Sequence, residues 1–111
     1  MKKDDTVYLK HILDAINQIV DYVRPIAYEG FVRNRMLQDA VVRQLEIIGE
    51  ASRNVSADFQ AQHSEIPWTQ MIGMRNRIAH DYLNVDMEIV WDIVEHDLTS
   101  LEEQIKKILA S

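Results

Sequence analysis

Within eight residues, Arg75 to Tyr82, the sequence RNRIAHDY gathers two arginines, an amide, a histidine, an acid and a phenol. A plain solvated helix does not need that concentration of polar chemistry. An imidazole takes or gives a proton near neutral pH. A guanidinium offers a planar fork of donors to phosphate oxygens. Together they suit cleavage of an RNA phosphodiester without a metal. A base removes the proton from a ribose 2′-OH, the oxygen attacks the adjacent phosphate, and the guanidinium stabilises the charge gathering on the phosphoryl oxygens. DNA lacks that internal nucleophile, so the mechanism itself selects RNA. A plainer reading stands beside this one. Exposed Arg and His are common at helix ends, where a histidine can satisfy free carbonyls. Tyr82 is then a half-buried aromatic, and Asp81 a solvated acid or an arginine's partner.

The elements that must position these groups read as helices. Three glycines and two prolines punctuate 111 residues, and long 3.6-period patterns fill the intervals. The first helix is predicted from about Asp5 to Arg24, with Leu9, Ile12, Leu13, Ile16, Ile19, Val20 and Val23 on one stripe. Asp4 or Asp5 is a candidate cap and Pro25 a stop. After the link PIAYEG and a short turn near Phe31, a second helix covers about Met36 to Asn54. Its Val42 and Ile47 fall off the main stripe, which fits either a wide buried face or a contact surface for a partner helix. A short helical turn fits SADFQAQH, capped by Ser56. The next helix runs from about Pro67, tolerated in a first turn, to Ala79 or a little beyond. The last is capped by Asp86 and reaches about Leu109, with Val90, Val94, Leu98, Leu101, Ile105 and Ile108 facing inward and Trp91 and Ile93 widening that face. No Val/Thr-rich alternation competes as a strand, and there is no internal repeat or low-complexity segment. The expected fold is all-α: a single domain spanning 1–111, an antiparallel bundle of four longer helices plus a short one. Gly49 and Gly73 fall inside helices, where glycine costs ~1 kcal/mol relative to alanine. A close helix crossing at one or both would offset that.

The bundle raises a geometric question about the chemistry. Arg75 and His80 are five residues apart, about 140° around a straight helix. Three arrangements would let them act on one phosphate: the helix ends near His80, the arginine stem curls, or a second subunit completes the site. Leu83-Asn84 and the Asp86 cap favour an ending here.

Composition limits the alternatives. The net charge of −6 argues against indiscriminate binding of polyanions. Its distribution leaves room for a local anion site, because all seven arginines lie between residues 24 and 77. Residues 78–111 carry two lysines and eight acids. There are no cysteines, so disulfides and thiolate metal sites are excluded. The N-terminus lacks an apolar core of signal-peptide length, and no apolar run approaches the ~20 residues of a membrane span. The expectation is a cytoplasmic protein with no membrane partner, no metal and no cofactor. His11, His63 and His96 show no metal-ligand spacing with a second histidine. Asp92 and His96, four apart, read as a surface pair rather than a metal site. Glu46 and Glu50, also four apart, suit pairing with arginines better than acid catalysis. Trp68 and Trp91 are expected as core or interface anchors, and the methionines as gap fillers. No glycine-rich phosphate loop occurs.

The stretch MRNRIAHDY, Met74 to Tyr82, resembles the Arg-x4-His-x-Tyr signature of HepT-like proteins, a branch of the HEPN superfamily. Arg75, His80 and Tyr82 fall on its three positions. LQDAVVRQLEIIGEAS (Leu37–Ser52), IPW (Ile66–Trp68) and DMEIVWDIVEHDL (Asp86–Leu98) are also similar to that family, so the likeness covers nearly the whole chain. It implies a HEPN-like bundle forming a homodimer whose two signature regions line a shared cleft. It further implies metal-independent endoribonuclease action on RNA (tRNA or mRNA), as the toxin of a type VII-like toxin–antitoxin pair. The partner would be a minimal nucleotidyltransferase (MNT) antitoxin, attaching AMP to the signature tyrosine. On these terms Arg75 and His80 are the catalytic candidates. Asn76 and Arg77 support them or bind RNA, and Tyr82 contacts RNA and is the modification point. The rival expectation is a non-catalytic subunit that docks a nucleotidyltransferase and presents its substrate. A purely structural dimer module leaves the polar cluster unexplained.

Overall fold

Apolar side chains recurring every three to four residues fold the first segment into helix α1, Lys3–Val23. Its Leu9, Ile12, Ile16 and Ile19 are fully buried against Val41, Leu45 and Ile48 of α3, Arg35–Asn54. The computed structural model describes residues 3–80 and 84–111. Between these two helices lies a short α2, Tyr28–Val32, whose buried Phe31 packs on Trp91 with ring centroids 5.0 Å apart. The side chain of Asn34 caps α3 by accepting the Leu37 N–H at 3.0 Å. Ser56 caps α4, Ala57–Gln62, through the Phe59 N–H, as the sequence predicts.

Asp5 is not the cap expected for α1. It lies within the helix, 3% exposed, and both its carboxylate oxygens turn to Ser56. Oδ1 accepts the Ser56 N–H and Oδ2 the Ser56 hydroxyl, each at 2.8 Å. Hydrogen bonds to a charged group are worth about 1.5–3 kcal/mol each, enough to fix this junction. The contact fastens the start of α1 to the residues just after α3, so the two helices run antiparallel.

The expected helix from Pro67 to Ala79 is two pieces: α5, Trp68–Ile72, and α6, Met74–Ile78. The break is Gly73, whose ψ of 15° leaves helical geometry while its N–H still reaches the Thr69 carbonyl. Across the core from this corner lies Gly49. A Cβ there would sit 2.9 Å from the Met71 carbonyl oxygen and 3.4 Å from the Met74 Cβ. Helix α3 thus presses directly on the backbone of the α5–α6 corner, and the close crossing falls at Gly49. Gly49→Ala should displace that corner. Overpacking costs about 1–3 kcal/mol, partly offset by ~1 kcal/mol of helix propensity. The expected outcome is a melting temperature lower by roughly 5–10 °C, read by circular dichroism; an unchanged midpoint would show that the crossing relaxes freely.

The last helix also departs from the simple pattern. It comprises α7, Met87–Asp92, a π-helical turn, Ile93–Asp97, and α8, Leu98–Ala110. Asp86 caps it as expected, Oδ1 accepting the Glu88 and Ile89 N–H groups. In the π turn the Leu98 N–H reaches back five residues to the Ile93 carbonyl. The turn shifts the buried stripe: Ile93 and Leu98, five residues apart, are both buried with Leu101 and Ile105, while Val94, expected inside, is only half-buried. Trp68 is buried and donates its indole N–H to the His63 carbonyl at 2.9 Å, an anchor as expected. Among the described residues no helix is long and apolar enough to cross a membrane.

Candidate active site

Helix α6 is one and a half turns long and carries Arg75, Asn76 and Arg77. Met74 and Ile78, four apart, are buried and hold one side of it in the core. Arg75 and Asn76 are consequently exposed, and Arg77 is half-exposed. The helix stops at Ile78. Ala79 turns to extended geometry, its N–H making the last bond to the Arg75 carbonyl at 3.2 Å. The chain then folds back on itself. Ala79 and Val85 form an antiparallel bridge, the His80 N–H donates to the Asn84 carbonyl at 3.0 Å, and the Asp86 N–H donates to the Ile78 carbonyl at 2.7 Å.

The ending answers part of the geometric question. His80 lies two residues beyond the helix, exposed, with its backbone pinned by the returning strand of chain. The 140° separation of a straight helix does not apply to it. Arg75 lies in the last turn of α6 and His80 two residues past its end, and both are exposed. Tyr82, with Asp81 and Leu83, lies outside the described residues.

Arg75 also borders a cavity of about 230 Å³ with Glu46, Gly49, Glu50, Arg53, Ile72 and Met74. Among the described residues, Glu46 and Glu50 line this cavity beside Arg53 and Arg75 without an ion pair to either, and they also line an adjoining hollow with Tyr8, His11 and Arg43. A larger hollow of about 610 Å³ between α4 and α8, lined by Phe59, His63, Glu65, Gln104, Lys107 and Ile108 among others, carries no signature residue; its size does not make it the site. Arg77 is held in an ion pair, its Nη2 3.1 Å from Asp97 Oδ2 in the π turn. Asp97 was not among the residues singled out from the sequence, because Val90, Val94, Leu98 and Leu101 continue one helical stripe past it. His96 pairs with Asp92 on the surface, Nδ1 lying 2.9 Å from Oδ1 and 3.1 Å from the Asp92 carbonyl. Its pKa is raised, first by the bond to that carbonyl and then by the carboxylate. No group of three His, Cys, Asp or Glu residues suited to a metal ion occurs among the described residues.

A family model described as ribonuclease HepT-like matches residues 12–108. The chain belongs to the HepT-like family. It is 42% identical over 108 residues to the "Probable ribonuclease HepT" of Thermococcus cleftensis, covering 97% of this chain and 98% of that one. It is 40% identical over 102 residues to a candidate RNase of Caldanaerobacter subterraneus subsp. tengcongensis, covering 92% and 91% respectively. Among solved structures it superimposes over the full length of both chains, with a TM-score of 0.73 and 22% identity, on a Shewanella oneidensis HEPN toxin, tri-AMPylated and in complex with MNT antitoxin. The all-α, HEPN-like fold expected from the sequence is thereby borne out. The HepT-like match contains the whole segment from Met74 to Tyr82 and all of α3.

Proposed function

We propose that this HepT-like protein is a metal-independent endoribonuclease, the toxin of a toxin–antitoxin pair, working as a homodimer. The carrying observation is the corner itself: Arg75 and His80 both exposed about one helix ending, within a family described as ribonucleases. In the dimer the two corners face one cleft. One His80 imidazole takes the proton of the ribose 2′-OH, and O2′ attacks phosphorus. The P–O5′ bond breaks as the second His80, protonated, gives its proton to the leaving oxygen. The products are a 2′,3′-cyclic phosphate and a 5′-hydroxyl. Arg75 stabilises the charge on the phosphoryl oxygens. Asn76 orients a phosphate oxygen or the imidazole, and Arg77 adds positive potential at the rim.

The control partner in this proposal is an MNT-type nucleotidyltransferase, as found with the Shewanella toxin. Its modification point is Tyr82. An adenylate there would place bulk and negative charge in a cleft meant for RNA phosphates, blocking substrate entry without unfolding the protein. The deciding experiment incubates purified protein with RNA in the presence of a chelator and analyses fragment ends. Discrete fragments ending in 2′,3′-cyclic phosphate, lost on adenylylation and retained by Tyr82→Phe treated with nucleotidyltransferase and ATP, are expected. Intact RNA with folded, unmodified dimer would overturn the enzyme and leave the non-catalytic binding subunit in its place.

A further inference from the structure

We propose that Asp97 is a positioning residue for RNA cleavage: through its ion pair with Arg77 it holds α6, and with it Arg75, in the working orientation. The inference rests on the ribonuclease reading of the Arg75–His80 corner. Three observations support it. First, α6 is only five residues long, and so short a helix does not persist on its own; tertiary contacts must hold it. Met74 and Ile78 anchor its buried side, and the Ala79–Val85 bridge with the Asp86 bond to the Ile78 carbonyl holds its C-terminal end; none of these reaches its exposed face. The Arg77–Asp97 pair, 3.1 Å across twenty residues of sequence, supplies an attachment there from the adjoining helix.

Second, the attachment point is the end of the π turn. Such turns are rare and concentrate at functional sites. Here the turn sets Ile93 and Leu98 inside together and leaves the Asp97 carboxylate about half-exposed, where Arg77 meets it. Third, both partners are substantially exposed, with side-chain exposures of 35% and 48%. Exposed ion pairs add little to folding stability, so stability alone does not account for a π turn arranged around one. Orientation of a catalytic helix does, because small misplacements of a charge-stabilising group cost rate steeply.

The test separates orientation from stability. Asp97→Asn is expected to lower kcat for RNA cleavage about tenfold, with KM within about twofold and a melting temperature within about 2 °C of the parent. Asp97→Glu, which keeps the charge, should recover most of the rate. Because Asp97 acts through Arg77, Arg77→Ala with Asp97→Ala should be no slower than Arg77→Ala alone. Unchanged kcat in Asp97→Asn, or a loss matched by unfolding, overturns the proposal. A second measurement needs no activity: amide hydrogen exchange of residues 76–79 should speed up several-fold in Asp97→Asn. Unchanged exchange there also overturns it. Failure of the parent protein to cleave RNA, with exchange altered as expected, would instead remove the ribonuclease reading and leave the attachment of α6 in place.

Discussion

Arg75→Ala is expected to lower kcat for RNA cleavage by about 10²–10³-fold, the loss that follows removing one preorganised donor from a transition-state charge. The phosphorane-like state carries more charge on its non-bridging oxygens than the ground state does, so the deficit belongs mainly in kcat rather than KM. The fold should hardly notice. Arg75 is exposed, and its contribution to the helix ending is its carbonyl, which accepts the Ala79 N–H whatever the side chain. Surface substitutions of this kind usually change stability by no more than about 0.5 kcal/mol. Arg75→Lys should recover part of the rate: the point charge remains, but the planar fork is gone. A folded Arg75→Ala variant with kcat within about threefold of the parent would move the charge stabilisation elsewhere. Arg53, which borders the same cavity, would be the first place to look.

The framework of this site was readable from periodicity. Leu9, Ile12, Ile16 and Ile19 in α1, and Val41, Leu45 and Ile48 in α3, repeat at helical spacing because each helix buries one face, and burial needs no knowledge of the neighbour. Ser56 and Asp86 announce helix starts because their side-chain oxygens satisfy nearby backbone donors, a wholly local effect. What escaped depends on partners remote in sequence. Asp5 looked like a local cap and is instead bound to Ser56, fifty-one residues away. Gly73 looked like a glycine inside a helix; it is the break, at the corner that α3 crosses most closely at Gly49.

The chemistry follows the same division. Arg75, His80 and Tyr82 are conspicuous as residue types, and their spacing identifies the family signature. That His80 lies beyond the helix carrying Arg75 was not deducible from an ideal helix, because the ending at Ile78 is set by the Ala79–Val85 bridge and the Asp86 bond. Asp97 was hidden for a subtler reason. Val90, Val94, Leu98, Leu101 and Ile105 follow one unbroken helical stripe in the sequence, so nothing local marks the π turn that carries it.

His80→Ala is expected to have the largest effect of any single substitution, about 10⁴-fold on kcat, the upper end of the range for general acid–base groups. In a homodimer with one shared cleft, a single substitution in the gene removes both imidazoles, the base that activates the 2′-OH and the acid that releases the 5′-oxygen. The side chain is exposed and its backbone bond to Asn84 does not depend on it, so the variant should fold and pair normally. That permits a sharper test by mixing. When parent and His80→Ala chains are exchanged in equal amounts, twofold pairing gives about one parent dimer in four. If both imidazoles serve one cleft, mixed dimers are nearly inert and about a quarter of the activity survives. If each chain cleaves RNA with its own Arg75 and His80, mixed dimers keep one working site and about half survives. The quarter is expected on the proposed mechanism, in which one imidazole serves as base and the other as acid, because the described part of the signature region supplies one histidine per chain.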